Sequence, residues 1–270
     1  MTTGALIFAF NNEQTDFVKM AAWSSKNIKR HLGIPVAVVT DVDHSQKAEF
    51  DHYIQVPSAN NTADNTRYFE DYDSSVTWHN TSRVDAYHLS PWDQTLVLDA
   101  DYVVASDQLK VLFDTSIDFL AHRYARDITE TNDFESLNTF GDNQMPMWWA
   151  TVMLFRRSDY VESIFDCMSM IRDNWQHYRE IYKNKKGTYR NDHALSIAQL
   201  IVNGHHIEYP SIPWQLASLT PQHRLYQIEQ DHYRVEFQSN DNRKKWMTIQ
   251  NHDFHAMGKK YLEEIVANST

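Results

Sequence analysis

Asp99 and Asp101 stand one residue apart inside an otherwise apolar run, Leu96-Val97-Leu98-Asp99-Ala100-Asp101-Tyr102-Val103-Val104. In an extended strand the side chains at i and i+2 leave the same face, so the two carboxylates are expected to point together while Ala100 turns into the packing. Such a pair suits a hard divalent cation, which takes oxygen ligands and commonly completes its shell with substrate phosphates. A nucleotide diphosphate is the natural guest. The same spacing recurs at Asp41-Val42-Asp43, closing the run Val36 to Thr40, and at Asp71-Tyr72-Asp73, in a polar stretch with no strand before it. Only Asp99 and Asp101 have apolar residues on both sides, which places their charges inside the fold, where unpaired carboxylates are costly and tend to hold metals. The plainer alternative is a pair of acids that close a strand and cap a turn.

The elements that must position these groups follow from hydrophobic periodicity. Ala5 to Phe10 reads as a buried strand, and Phe17, Met20, Ala21 and Ile28 have helical spacing. Ile34 to Thr40 and Tyr53 to Val56 read as further strands. Strand, helix, strand predicts right-handed crossovers and a parallel sheet, whose sites open at the carboxyl ends of the strands. Asn11 and Asn12, Asp41 and Asp43, and Asp99 and Asp101 all fall at such ends. Beyond Leu120 the pattern predicts a strand over Val152 to Phe155 and helices over Asp159 to Tyr182, over Asp192 to Val202 and from about Lys260 onward. With no repeat or Pro/Ser-rich linker, the economical expectation is a single α/β domain with a mostly parallel central sheet flanked by helices. Residues 1–120 would form a nucleotide half and 121–270 an acceptor half.

Composition narrows the chemistry. The 270 residues are 42% hydrophobic and 13% aromatic, enough for a well-filled interior. Six glycines, none close to another, leave no Gly-x-Gly-x-x-Gly turn and no P-loop, so a diphosphate would have to be neutralised by a metal and cationic side chains. A net charge of -11, from 25 basic against 36 acidic residues, opposes broad nonspecific binding to nucleic acid. The 14 histidines show no zinc-site spacing. Cys167, the one cysteine, lies in a helical pattern as a packing thiol and fits a reducing compartment. No apolar stretch approaches the ~20 residues of a membrane span, and Ala5 to Phe10 is too short for a signal peptide, so a cytoplasmic location is expected.

Three blocks occur in an order that resembles the GT-A glycosyltransferases, specifically the family 8 group of glycogenin, galactinol synthase and bacterial galactosyltransferases. Asn80-Thr81-Ser82-Arg83-Val84-Asp85-Ala86-Tyr87 is similar to the family helix that carries a basic residue near the sugar nucleotide. Leu96 to Val104 is similar to the Asp-x-Asp strand, and His255-Ala256-Met257-Gly258-Lys259-Lys260 to the His-x-x-Gly-x-x-Lys segment. The resemblance implies a GT-A (Rossmann-like) fold, Mn²⁺ or Mg²⁺ held by Asp99, Asp101 and His255, and a UDP-sugar donor. It gives Arg83, Gly258 and Lys259 or Lys260 to the diphosphate; Phe8, Asn11, Asp41 and Ala100, at or beside the strand ends, are the further candidates for the nucleotide site. His252, three residues before His255, competes as the nitrogen ligand.

The chain also departs from that pattern. Where the family has Asn-x-Gly near the donor sugar, this chain reads Trp148-Trp149-Ala150-Thr151, and Arg190-Asn191-Asp192-His193-Ala194-Leu195 stands in place of Asp-Gln-Asp-x-Leu. Asp192 belongs at the reaction centre in this reading. Asp192 or His193 would be the general base of an inverting reaction, whereas a retaining one would use Asp192 to position the sugar. An acid in the first turn of a helix is its structural alternative. Trp148 and Trp149, with Met145 and Met147, could form a platform for a sugar or base ring. Tyr178 to Arg190, with Arg243, Lys244 and Lys245, mixes cations and tyrosines as an anionic acceptor would want, so the hydroxyl acceptor is a glycan or a hydroxylated base in nucleic acid. A sugar-1-phosphate nucleotidylyltransferase and a noncatalytic sugar-nucleotide binding module are the competing functions.

Overall fold

A computed structural model describes residues 1–58, 66–69, 74–184 and 188–269. Asp71 and Asp73, and Lys185 to Gly187 of the basic stretch, lie outside the described residues. The strand β1 (Thr3–Phe8) is followed by α1 (Phe17–Leu32), β2 (Val36–Thr40) and β3 (His52–Gln55). A small antiparallel pair, β4 (Thr66–Phe69) and β5 (Ser74–Thr77), precedes a 3₁₀ turn at Ser82–Asp85 and the short α2 (Ala86–Leu89). Next come β6 (Gln94–Asp99), β7 (Tyr102–Val103), β8 (Phe119–His122), β9 (Ala125–Asp127), β10 (Thr139–Phe140), β11 (Met145–Pro146) and β12 (Trp149–Arg156). Helices α3 (Asp159–Asp173), α4 (Trp175–Ile181) and α5 (Asn191–Val202) lead to β13 (Leu216–Leu219), β14 (Arg224–Glu229), β15 (His232–Gln238), β16 (Lys244–Gln250), β17 (Phe254–Ala256) and α6 (Lys259–Asn268).

The central sheet has the order β3-β2-β1-β6-β12-β8. Its first four strands are parallel, with Ile7 opposite both Val38 and Leu98. Apolar runs buried on both faces are what a helix-covered parallel sheet demands, and β1, β2 and β6 supply them. β12 runs antiparallel between β6 and β8, so the sheet is mixed. α1 covers one face, capped by Asp16, whose Oδ1 accepts from the Lys19 N–H at 3.0 Å, and ended by Gly33 in the left-handed conformation. No described helix is long and apolar enough to cross a membrane.

A second sheet, β7-β17-β13-β9, has its own apolar core, where Val103, Phe254 and Leu219 meet Met20 of α1, Leu262 of α6 and Tyr233 of β15. The chain passes from one sheet to the other through Ala100 and Asp101. This corrects the expectation of one strand running from Leu96 to Val104: β6 stops at Asp99, Ala100 and Asp101 form a turn, and β7 belongs to the other sheet.

Other elements also depart from the periodicity. The helix expected over Asp159 to Tyr182 is split at Asn174 into α3 and α4. The Asn80 to Tyr87 block is a 3₁₀ turn with one turn of α-helix, not a long helix. Cys167 is buried in α3, and burial pushes its thiol up to about 11, as suits a packing residue.

His122, at the end of β8, is buried with its Nδ1 3.0 Å from the Trp214 carbonyl oxygen. Burial lowers its pKa from 6.5 to about 4. A depressed histidine adds stability above pH 6.5 that is lost as pH falls through about 4. His122→Asn, which keeps a donor toward Trp214, is therefore expected to lose on the order of 2 kcal/mol less than the parent between pH 7.5 and 4.5 in urea denaturation. Parallel losses in the two proteins would contradict the assignment.

Candidate active site

Three structural devices bring the site together. The turn that ends β6 presents Asp99 and Asp101 at the junction of the two sheets. β17 pairs antiparallel with β7, setting His255 opposite Tyr102, and the Ala256 N–H donates to the Asp101 carbonyl at 3.0 Å. Phe254 and Ala256 are buried in the second core, which fixes the direction of His255 between them. Immediately afterwards Gly258 opens α6, so Lys259 arrives beside Asp101.

One potential ligand atom from each of Asp99, Asp101 and His255 lies within 4.8 Å of the others. His255 Nε2 is 3.3 Å from Asp101 Oδ2, to which Lys259 Nζ also donates. Asp99 Oδ1 accepts from Arg83 Nη2. Each carboxylate thus has its own cation. Burial opposes ionisation of Asp101, but Lys259 and His255 outweigh it and hold this acid well below the usual carboxylate range. Burial likewise opposes the Arg83 charge, and Asp99, with Asp192 and Asp101 behind it, raises it above its ordinary value.

The opposite wall is built by an irregularity in β12. Its register against β8 shifts between Trp149 and Met153, a bulge that takes Ala150 out of the ladder. The orphaned backbone groups find side chains instead. The Ala150 carbonyl accepts from Arg83 Nη1 at 2.7 Å, and its N–H donates to Asp192 Oδ1 at 2.9 Å. Asp192 Oδ2 accepts from Arg190 Nη2 at 2.9 Å. Against the opposing effect of burial, Arg190, the Ala150 N–H and His193 keep Asp192 below its usual range. A carboxylate engaged on both oxygens and held ionised is a weak base and a good positioning group.

These walls enclose a cavity of about 830 Å³. Phe8, Arg83, Asp99, Ala100, Asp101, Asp192, His193, His255 and Lys259, all singled out from the sequence, line it. His193 is packed more tightly than a working base would be. Its ring stacks on Trp175 at 5.9 Å and its Nδ1 lies 2.9 Å from Asn184 Nδ2.

Three expected residues, Asn11, Asp41 and Lys260, lie off the cavity wall. Asn11 is a helix-capping residue, its Oδ1 accepting from the Val18 N–H at 3.0 Å and its Nδ2 donating to Asp16; its neighbour Asn12 lines the cavity. Asp41 follows β2 with a buried Oδ1 that has no partner among the described residues, outside the cavity lining. Lys260 is exposed on α6, one residue past the position that faces inward. Gly258 lies between the lining residues Met257 and Lys259, and a Cβ there would meet Pro221 at an ordinary 3.6 Å. Of the two candidate histidines, His255 joins the aspartates, while His252 is half-buried beside Arg126.

Sequence reasoning missed His79, Asn80 as a side chain, and Trp149 as a polar group. His79 Nδ1, Asn80 Oδ1, Arg83 Nε and Trp149 Nε1 are buried without partners among the described residues, and all four residues line the cavity. Buried polar atoms are usually satisfied, so such a group offers hydrogen bonds to a bound molecule. The only hint in the sequence was the replacement of the expected Asn-x-Gly by Trp148 to Thr151.

Comparison with protein-family models finds no match, and neither does comparison with curated proteins. Similar solved structures include the glycosyltransferase GlyE of Streptococcus pneumoniae TIGR4, at 14% identity and a TM-score of 0.45, covering 79% of this chain and 46% of that one. Another is the galactosyltransferase LgtC in complex with donor and acceptor sugar analogues, at 14% identity and 0.47, covering 73% and 70%. Mouse xyloside xylosyltransferase 1 is similar at 11% identity and 0.43, covering 77% and 85%. The chain thus spans less than half the length of GlyE.

Arg83 and Asp99 test the geometry directly. Arg83→Met strips the Ala150 carbonyl and the Asp99 carboxylate of their donor and is expected to cost about 3 kcal/mol in urea denaturation. Combining it with Asp99→Asn recovers part of that loss; strictly additive losses would show that the two groups are not coupled.

Proposed function

We propose that the protein is a divalent-metal-dependent glycosyltransferase of the GT-A type. It moves a sugar from a nucleoside diphosphate sugar, a UDP-sugar by the family 8 resemblance, to a hydroxyl acceptor. The observation that carries this reading is the convergence of Asp99, Asp101 and His255 from separate elements on one cavity wall, flanked by Arg83 and Lys259.

The donor set fits Mn²⁺ or Mg²⁺. Two carboxylates and an imidazole form the mixed oxygen and nitrogen donor set these ions accept, and His255 Nε2 and Asp101 Oδ2, 3.3 Å apart, are close enough to bond to one ion. Asp99, Asp101 and His255 would hold the ion, which when bound supplies Lewis-acid stabilisation of charge on a departing diphosphate. The start of α6 supports an anion here too. No side chain caps Gly258, and Lys259 and Lys260 place two cations in the first turn, against the helix dipole, a conflict that a diphosphate relieves.

The remaining residues divide the other tasks. Arg83, fixed by Asp99 and the Ala150 carbonyl, presents a charged wall to the donor. Asn80 Oδ1 and Trp149 Nε1 meet sugar hydroxyls that nothing else in the fold satisfies. Asp192 positions the sugar and is not the base, which favours the retaining alternative. Trp78 and Phe140 also line the cavity and offer rings to an acceptor.

Incubation with a panel of UDP-sugars and Mn²⁺ is expected to release UDP slowly even without acceptor, because water replaces the hydroxyl. Asp101→Ala or a chelator should reduce that release at least about 100-fold. Pyrophosphate formation from UTP and a sugar-1-phosphate would instead identify a nucleotidylyltransferase, and UDP-sugar binding without turnover a binding module. Gly258→Ala gives a finer check. Its folding stability is expected to be unchanged, since the added Cβ meets only ordinary contacts, while UDP affinity falls about tenfold as the backbone loses its close approach to phosphate.

A further inference from the structure

The antiparallel sheet β14-β15-β16 buries Leu225, Tyr233, Val235 and Ile249 on one face. Its other face is unlike the rest of this acidic chain. Arg224 stands over the Tyr226 ring at 5.0 Å, Arg234 and Lys244 stand over the Trp246 ring at 5.8 and 5.2 Å, and the two rings are 5.8 Å apart. Trp246 is 50% exposed. The registers Arg224 to Glu236 and Glu236 to Trp246, and Tyr226 to Arg234, place all of these side chains on the same face. Its acids are Glu236, matched by Lys244 at 2.5 Å, and Glu229 at the far end, opposite His232. Among the described residues Arg224 and Arg234 have no carboxylate partner.

We propose that this face docks a nucleic-acid strand with unpaired bases, its phosphates on Arg224 and Arg234 and its bases on Trp246 and Tyr226. Sheets that bind single strands join these two features, a cationic track and exposed aromatic rings. A neutral glycan would use the rings but gain nothing from the unpaired guanidiniums. The net charge of -11 repels a polyanion elsewhere and so directs it to the patch. The patch lies next to the segment that carries Gly258 and Lys259. Arg224 lies 5.7 Å from the Tyr261 ring, and Tyr261 and the cavity-lining Pro221 are the near neighbours of Gly258.

Resting on the glycosyltransferase reading for its outcome, the docked strand brings a hydroxyl to the cavity. Its oxygen bonds to the anomeric carbon as the bond from that carbon to the diphosphate oxygen breaks. The hydroxyl proton passes to the departing diphosphate, and no oxidant or reductant is needed.

The test is fluorescence anisotropy of a labelled oligothymidylate of roughly 12 nucleotides, within the span one such surface covers. The intact protein is expected to bind it, Trp246→Ala to bind about tenfold more weakly, and Arg234→Ala to lower the salt slope by about 0.7. Both residues are exposed and lie outside the active site, so each variant should retain Mn²⁺-dependent UDP binding. Unchanged oligonucleotide affinity in both variants overturns the proposal, as does binding of a neutral oligosaccharide or of phosphatidylserine vesicles through Trp246 in place of the oligonucleotide. Loss of UDP binding in the intact protein with oligonucleotide binding preserved would remove the glycosyltransferase reading and leave the docking face standing.

Discussion

Opposite charges arranged in alternation, each held by a different segment of the chain, are what the cavity depends on. Lys259 faces Asp101, Arg83 faces Asp99, and Arg190 faces Asp192. Buried or half-buried carboxylates are tolerable only with such partners, so no member of the series can be moved without exposing its neighbour. Because the sources are a turn, a 3₁₀ segment, two helix starts and a strand, the cavity walls come together only when both sheets have formed.

The β12 bulge plays the complementary part on the uncharged side. A regular strand would have spent the Ala150 amide and carbonyl on the ladder with β8. The shift frees them to hold Asp192 and Arg83, and it carries Trp149 into the cavity wall. One local defect therefore sets two charged groups and a ring at once, a use to which bulges beside sites are often put.

How much of this could be read in advance differs from residue to residue. The strands around Ile7, Val38 and Leu98 were legible because a parallel sheet needs uninterrupted apolar runs. The pairing of Asp99 with Asp101 was legible from residue type and spacing, whereas His255 joined them only through the family resemblance; the structure brings one potential ligand atom of each within 4.8 Å of the others. What periodicity could not show is that Asp99 and Asp101 are separated by a sheet change, since a turn of two buried residues leaves the apolar pattern unbroken. Asn11 looked like a ligand and is a cap, because a polar residue between a strand and a helix serves either purpose equally well in one dimension. The β14-β15-β16 sheet was overlooked although Leu225, Tyr233, Val235, Met247 and Ile249 alternate with polar neighbours at the spacing of strands. The β12 bulge left no trace in composition at all, as a register shift depends on the partner strand.

The two-residue turn at Ala100 and Asp101 is also a mechanical joint. The first aspartate ends the larger sheet, and the second begins the passage into the smaller one, which carries the imidazole. Any guest that bonds to all three at once acts as a rivet between the two β-layers. Occupancy of the site would therefore add a tie between the two β-layers.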